Sequence, residues 1–241
     1  MMEKVVFISG SAKRLGAAIA RALHLRGYNV VLHCFGSYPE AIALYQALNL
    51  ARPNSAELVQ GDLTEITELE GLACNILAKF GRLDAVINNA SSFFPTPVSD
   101  ISLQAWQALI GSNMQAPLFL SHYLADELKR CKGTIINMVD IHALRPLAGY
   151  SLYCMAKAGL VSMTESLAIE LAPEVRVNAI APGAILWPEE IEEQQKQQIL
   201  SQIPLGRLGL EHDITHAVEF LLDAGYITGQ ILKVDGGRSL T

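Results

Sequence analysis

Short apolar runs alternate along the chain with longer stretches whose apolar residues recur every three or four positions. Val5 to Ser9, Asn29 to Cys34, Ala56 to Gln60, Leu83 to Asn88, Gly133 to Val139, Val175 to Ile180 and Ile231 to Val234 are short and mostly β-branched or aliphatic, as strands buried on both faces are. Between them, helical spacing covers Leu15 to Leu25, Pro39 to Leu50, a stretch ending at about Phe80, Ser102 to Lys129, Ser151 to Leu171 and Asp213 to Leu222. Gly27 ends the first of these helices, Thr64 and Thr67 stand where the third should be capped, and Asn113 and Pro117 interrupt the fourth. No linker, low-complexity tract or repeat breaks the alternation, which predicts one domain over residues 1–241. The fold class is α/β: a single doubly wound parallel sheet of seven strands with helices on both faces. One segment, 184–204, departs from the pattern. It is rich in Glu and Gln, carries Trp187 near its start, and is either a flap over a site or a solvated helix.

Three junctions between strand and helix carry chemistry. After the first strand comes Gly10-Ser11-Ala12-Lys13-Arg14-Leu15-Gly16. Gly10 permits a tight turn, Gly16 permits close packing, and the helix N-terminus that follows offers free N–H groups to a pyrophosphate. This is the Rossmann-type dinucleotide context, although the spacing is not GxGxxG and Arg14 stands where a middle glycine is expected. An acid at the end of the second strand would hold the ribose diol of NAD. Here the residues are His33-Cys34-Phe35-Gly36-Ser37, so Ser37 and Lys13 are candidates for a 2′-phosphate and NADPH is the expected cofactor. The fourth strand ends in Asn88-Asn89-Ala90-Ser91-Ser92-Phe93-Phe94, a polar and aromatic loop where α/β sheets bind ligands. The two phenylalanines are either a stacking wall or an anchor in the core.

The fourth piece is Tyr153-Cys154-Met155-Ala156-Lys157. Four residues is just over one helical turn, so the phenol and the ammonium share a face. A phenol titrates near pH 10, and a neighbouring cation is expected to draw it toward the range useful for proton transfer.

Composition narrows the field. Hydrophobic residues make up 51% of the chain and charged residues 17%, which suits a buried core and argues against disorder. A net charge of -6 without a basic stripe gives no electrostatic basis for nucleic acid. No run is long enough to span a membrane, and Met1-Met2-Glu3-Lys4 passes into the first strand without a cleavable signal, so a cytoplasmic protein is expected. Cys34, Cys74, Cys131 and Cys154 lack CxxC spacing and are expected to be buried free thiols. The six histidines are scattered, and no metal site is expected.

With these residues in order, the chain resembles the short-chain dehydrogenase/reductase family from end to end. The glycine turn, Asn88-Asn89-Ala90, Tyr153 with Lys157, Pro182-Gly183 and the segment from Gly229 to Gly237 all fit. Within that family it is most similar to the pteridine reductases: Arg14 replaces the usual glycine, the fourth-strand motif extends through Ser91, Ser92 and Phe93, and Asp140 stands where most members have serine. Gly36 departs from the arginine that this subgroup often carries for the 2′-phosphate. The resemblance implies NADPH-dependent reduction of a pterin C=N bond, with Tyr153 as proton donor, Lys157 on the nicotinamide ribose, Asp140 orienting or protonating Tyr153, and Asn113 supporting a water. It implies that Gly10, Lys13, Arg14, Leu15, Gly16, Ser37, Asp62, Leu63, Asn89, Ala90, Tyr153, Lys157, Pro182 and Gly183 hold the cofactor. Arg14, Ser91, Phe93, Asp140 and Tyr153 would meet the pterin, and the assembly would be a homotetramer. The rival readings are a reductase of 3-oxoacyl chains or simple carbonyls, and a ligand-sensing protein of the same fold without turnover.

Overall fold

A computed structural model describes residues 3–187 and 192–241. Seven strands form one parallel sheet in the order β3-β2-β1-β4-β5-β6-β7: β1 Val5–Ile8, β2 Asn29–Cys34, β3 Ala56–Gln60, β4 Ala85–Asn88, β5 Thr134–Met138, β6 Arg176–Pro182 and β7 Ile231–Val234. The helices are α1 Arg14–Leu25, α2 Tyr38–Ala51, α3 Leu69–Phe80, α4 Leu103–Ile110, α5 Ala116–Cys131, α6 Ser151–Glu170, α7 Glu193–Ser201 and α8 Glu211–Asp223. Strand side chains point alternately to the two faces. Val6 and Ile8 therefore enter one core with Ile19 and Leu23 of α1 and Ile214 and Val218 of α8. Val5 and Phe7 enter the opposite core with Leu72 and Ile76 of α3 and Leu120, Leu124 and Leu128 of α5. Both faces of the central strands are covered, which is why those strands read as mostly apolar runs, while the edge strands β3 and β7 are only partly buried. Strand order reverses at β1, which pairs with both β2 and β4, and the crevice beyond their carboxyl ends is where such sheets take ligands.

The long helical stretch is two helices joined by a π turn, Gly111–Gln115. Two side chains of that turn bond carbonyls four residues back: Ser112 Oγ donates to Ala108 O at 2.6 Å and Asn113 Nδ2 to Leu109 O at 2.9 Å. Pro117 lies in the first turn of α5, where its missing N–H costs nothing.

Two expectations need correction. Neither Thr64 nor Thr67 caps α3. A short 3₁₀ turn, Ile66–Glu68, precedes that helix, and Thr64 donates its N–H and its hydroxyl to Asp62 Oδ1, both at 2.8 Å. An Asp two residues earlier is the nearer acceptor. The cysteines are free, but Cys74 is exposed and Cys131 half-buried. The inward stripe of α3 is Leu69, Leu72, Ala73 and Ile76, and Cys74 falls outside it. Among the described residues no helix is long and apolar enough to cross a membrane, and no group of three or more His, Cys, Asp or Glu side chains is placed to hold a metal.

Candidate active site

A cleft of about 610 Å³ opens above the β1–α1 turn, lined by Gly10, Lys13, Arg14, Leu15 and Gly16, with Asp62, Leu63, Asn89, Ala90 and Ser91 across from them. Gly10 has φ +62°, and a Cβ on Gly16 would come within 2.3 Å of Gly10 O and 2.6 Å of Asn89 Nδ2. The backbone here is packed so closely that only glycine fits. Asn89 holds the turn from the other side, donating from Nδ2 to Ser9 O and Gly10 O at 3.0 Å each. Arg14 adopts φ 49°, a left-handed conformation that costs a non-glycine residue of order 1 kcal/mol or more. The glycine expected at this position is thus explained by the backbone, and the arginine accepts the strain while placing a cation at the mouth of α1.

At the end of β2, His33 is a structural residue. Its Nδ1 accepts from Gly10 N at 3.1 Å, its Nε2 lies 3.1 Å from Gly61 O, and burial pushes it down to about 4, so it is neutral. Lys13 Nζ pairs with Glu40 at 2.7 Å. Positions 33–37 carry no acid, as read from the sequence, but the first turn of α2 brings one to the same lysine. Ser37 precedes α2 and is outside the lining of the cleft, whereas Phe35 is within it.

A second cleft, of about 530 Å³, shares Arg14, Leu15, Asn89 and Ser91 with the first, so the two form one trough. It adds Phe93, Asp140, Tyr153, Lys157, Pro182 and Gly183. Tyr153 OH donates to Asp140 Oδ2 at 2.7 Å, and Asp140 Oδ1 accepts from His142 N at 2.8 Å. Both carboxylate oxygens are therefore engaged, one by the local turn and one by the phenol. Tyr153 is 4% exposed. Its pKa lies above the ordinary phenol value: burial raises it most, and the charge and hydrogen bond of Asp140 raise it further, while the Ser91 hydroxyl opposes. This reverses the expectation that Lys157 would draw the phenol down. Lys157 Nζ sits 5.7 Å from the Tyr153 ring centroid and donates to Met138 O at 2.8 Å. Its own burial, opposed by the charge of Asp140, pushes it down to about 8.

Asn113, fully buried in the π turn, stands behind the trough. Its Oδ1 accepts from Ser91 Oγ at 2.7 Å and its Nδ2 donates to Ser92 O at 2.9 Å. The adjacent phenylalanines divide the two roles considered for them. Phe93 is 53% exposed and lines the cleft, while Phe94 packs on Leu109, Leu152, Tyr153 and Cys154. Within the 184–204 segment, Ile185 and Leu186 line the cleft and α7 buries no residue, as a solvated helix would. Residues 188–191 of that segment lie outside the described residues. Sequence reasoning missed Met138, Val139, Ile185 and Leu186 as lining residues. An apolar pair two residues after Gly183, in a segment otherwise rich in Glu and Gln, was the available signal for the last two.

Comparison with known proteins gives reductases named for three different substrates. A family model described as enoyl-(acyl carrier protein) reductase matches residues 10–239. Pteridine reductase 1 of Leishmania tarentolae is 39% identical, the match covering 98% of this chain and 96% of the relative. A 3-oxoacyl-(acyl-carrier-protein) reductase of Staphylococcus aureus strain Mu50 is 31% identical, with 98% of each chain covered.

Proposed function

The chain belongs to the short-chain dehydrogenase/reductase family and is an oxidoreductase, and from that premise we propose that it reduces a C=N bond of a pterin with NADPH. The observation that carries this reading is Phe93, a half-exposed aromatic ring in the wall of the cleft that also holds Tyr153 and Asp140. A flat heteroaromatic ring gains from a π surface on its open face, which an acyl chain does not need. Arg14 adds a planar guanidinium fork suited to ring or phosphate oxygens. The glycine cradle, with no room for a Cβ at position 16, suits the pyrophosphate of a dinucleotide.

When bound, the nicotinamide supplies the hydride. Gly10, Gly16 and the α1 N-terminus would hold the pyrophosphate, Asp62 and Leu63 the adenosine, and Asn89, Ala90, Pro182 and Gly183 the nicotinamide. Tyr153 donates the proton. A phenol whose pKa is raised stays protonated at neutral pH, which suits an acid in the reductive direction better than a base in the oxidative one. Asp140 orients that phenol, Lys157 binds the nicotinamide ribose, and Asn113 fixes Ser91 and supports a water. Lys13, with Ser37 three residues before Glu40 at the start of α2, takes the 2′-phosphate in place of Glu40. The segment from Ala184 closes over the substrate through Ile185 and Leu186. The outward positions of α6 include Met155, Ala158, Ser162 and Ile169, with Glu165 and Glu170 as the charged residues among them, a surface that supports self-association into a homotetramer. The four unpaired thiols support a reducing, cytoplasmic setting.

The 3-oxoacyl reading has the second relative in its favour, yet it goes with serine at position 140 and glycine at position 14, and this chain has Asp140 and Arg14. Steady-state kinetics on dihydrobiopterin, dihydrofolate and a 3-oxoacyl thioester, each with NADPH and NADH, decide between them. The highest kcat/KM is expected for a pterin with NADPH. Preference for the thioester would refute the pterin assignment, and equal or better efficiency with NADH would refute the 2′-phosphate assignment.

Phe93→Ala tests the wall itself. Loss of an aromatic pair worth about 0.5–1.5 kcal/mol, beyond the area buried with it, should lower pterin kcat/KM at least several-fold. NADPH affinity measured by fluorescence titration should stay close to wild type, and unchanged pterin kinetics would favour the generic carbonyl reductase.

A further inference from the structure

Phe93 does not stand alone. Its ring stacks on Tyr150 with centroids 4.6 Å apart and planes 13° from parallel, and it meets Tyr153 at 4.8 Å and 79°. Tyr150 is half-buried and stands behind Phe93, outside the lining of the cleft. We propose that Tyr150 is a positioning residue for the substrate ring: it sets the plane of Phe93, so that Tyr150, Phe93 and a flat heteroaromatic substrate form one continuous stack. This rests on the pterin reading above and adds to it the element that fixes the slot.

The backbone around Tyr150 supports that role. Tyr150 is the residue at which α6 begins, and its carbonyl accepts from Cys154 N at 2.9 Å in the first helical turn. It forms a parallel bridge with Thr96, whose N–H donates to Gly149 O at 2.6 Å. Thr96 is 2% exposed and is held again from α6, where Ser151 Oγ donates to Thr96 O at 3.2 Å. At the other end of the loop, Ser91 and Ser92 are tied to Asn113. The segment from Ser91 to Thr96 is therefore anchored at both ends, and Phe93 lies between the anchors. A half-exposed phenylalanine in such a loop can rotate about χ1 and χ2 unless a neighbour fixes it. Tyr150 supplies a parallel face on one side, while the perpendicular Tyr153 ties the orientation to the proton donor. One helix start thus sets both the stacking surface and, three residues later, the acid.

An acyl substrate uses no such plane, so the effect of Tyr150 should depend on the substrate. Tyr150→Leu is expected to raise the KM for a dihydropterin roughly three- to tenfold, the range an aromatic pair is worth. The kcat should change by less than about twofold and the Kd for NADPH should hold, since the residue touches neither the phenol oxygen nor the nucleotide cradle. Tyr150→Phe keeps the ring and should restore wild-type KM. Failure of Tyr150→Phe to rescue, or an unchanged KM in Tyr150→Leu, overturns the assignment. A crystal structure of substrate-free Tyr150→Leu reads the claim without any turnover. Phe93 is expected to leave its single orientation there, and an unmoved Phe93 overturns the positioning role even where the wild-type enzyme reduces pterins. Absence of pterin turnover in the wild type, with Phe93 displaced in the variant, would instead count against the pterin reading alone.

Discussion

Tyr153→Phe should lose roughly 10²–10⁴ of turnover and keep its affinity for the nucleotide, as expected for removal of a positioned general acid. The substitution deletes one oxygen, which is the donor in the 2.7 Å bond to Asp140 Oδ2. The ring, 4% exposed and packed with Leu109, Leu152 and Cys154, keeps its contacts, so the fold should hold. Asp140 keeps the backbone donor from His142, although its second oxygen loses a partner, which costs about 1–3 kcal/mol at a site closed to water and less where water can enter. Single-turnover stopped flow with prebound NADPH checks the prediction, because it isolates chemistry from release. Near-normal single-turnover rates would mean that the proton comes from elsewhere.

Lys157→Met combines a large loss of activity with no loss of stability. The ammonium is 2% exposed, and burial holds it at about 8. The sign follows from linkage. Between about 8 and the ordinary 10.5, the unfolded chain keeps a proton that the folded protein has released, so stability rises with pH across that window. At neutral pH the folded state therefore carries a penalty of roughly 3 kcal/mol for holding the charge. Met removes that penalty and fills a similar volume, while Met138 O loses its donor at a cost of about 1–3 kcal/mol. The two effects nearly cancel, so the Tm of the substrate-free variant should equal or exceed that of wild type. Turnover should fall roughly 10²–10³-fold, as it does when a preorganised charge is taken from a reacting centre. In the wild type the same group predicts a reductive kcat/KM that declines as pH rises through about 8. A Tm several degrees below wild type, or a pH profile flat through that point, would contradict this account.

What the sequence made legible is local. All seven strands were placed, the central five because burial on both faces leaves a mostly apolar run that needs no partner to be recognised, whereas the edge strands β3 and β7 are only partly buried. Tyr153 and Lys157 share a helix face by spacing alone, and the glycine turn announced its strand and helix. What stayed hidden depends on residues far apart in the chain. Lys13 meets Glu40 only because β2 returns α2 to the mouth of α1. The direction of the Tyr153 shift was misjudged because adjacency to Lys157 is written in the sequence, whereas the depth of burial and the approach of Asp140 are properties of the folded trough. Tyr150 likewise has no signal of its own. Its partner is fifty-seven residues earlier, and a stacked pair leaves no periodicity to read.

The π turn at Gly111–Gln115 also acts as a phase shifter. Each residue of an α-helix advances the face by about 100°, so one extra residue in a turn resets which side of the rod looks inward. Upstream of it, α4 presents Leu109 to Tyr153 and Cys154. Downstream, α5 lays Leu120, Leu124 and Leu128 on the sheet. A uniformly wound rod through the same residues would rotate the downstream face by about 100° from the one that now meets the sheet. The widened turn lets one length of chain serve two masters, the reaction centre above and the sheet below, and Asn113, placed at the change of phase, ties it by its amide to Ser91 and Ser92 in the loop after β4.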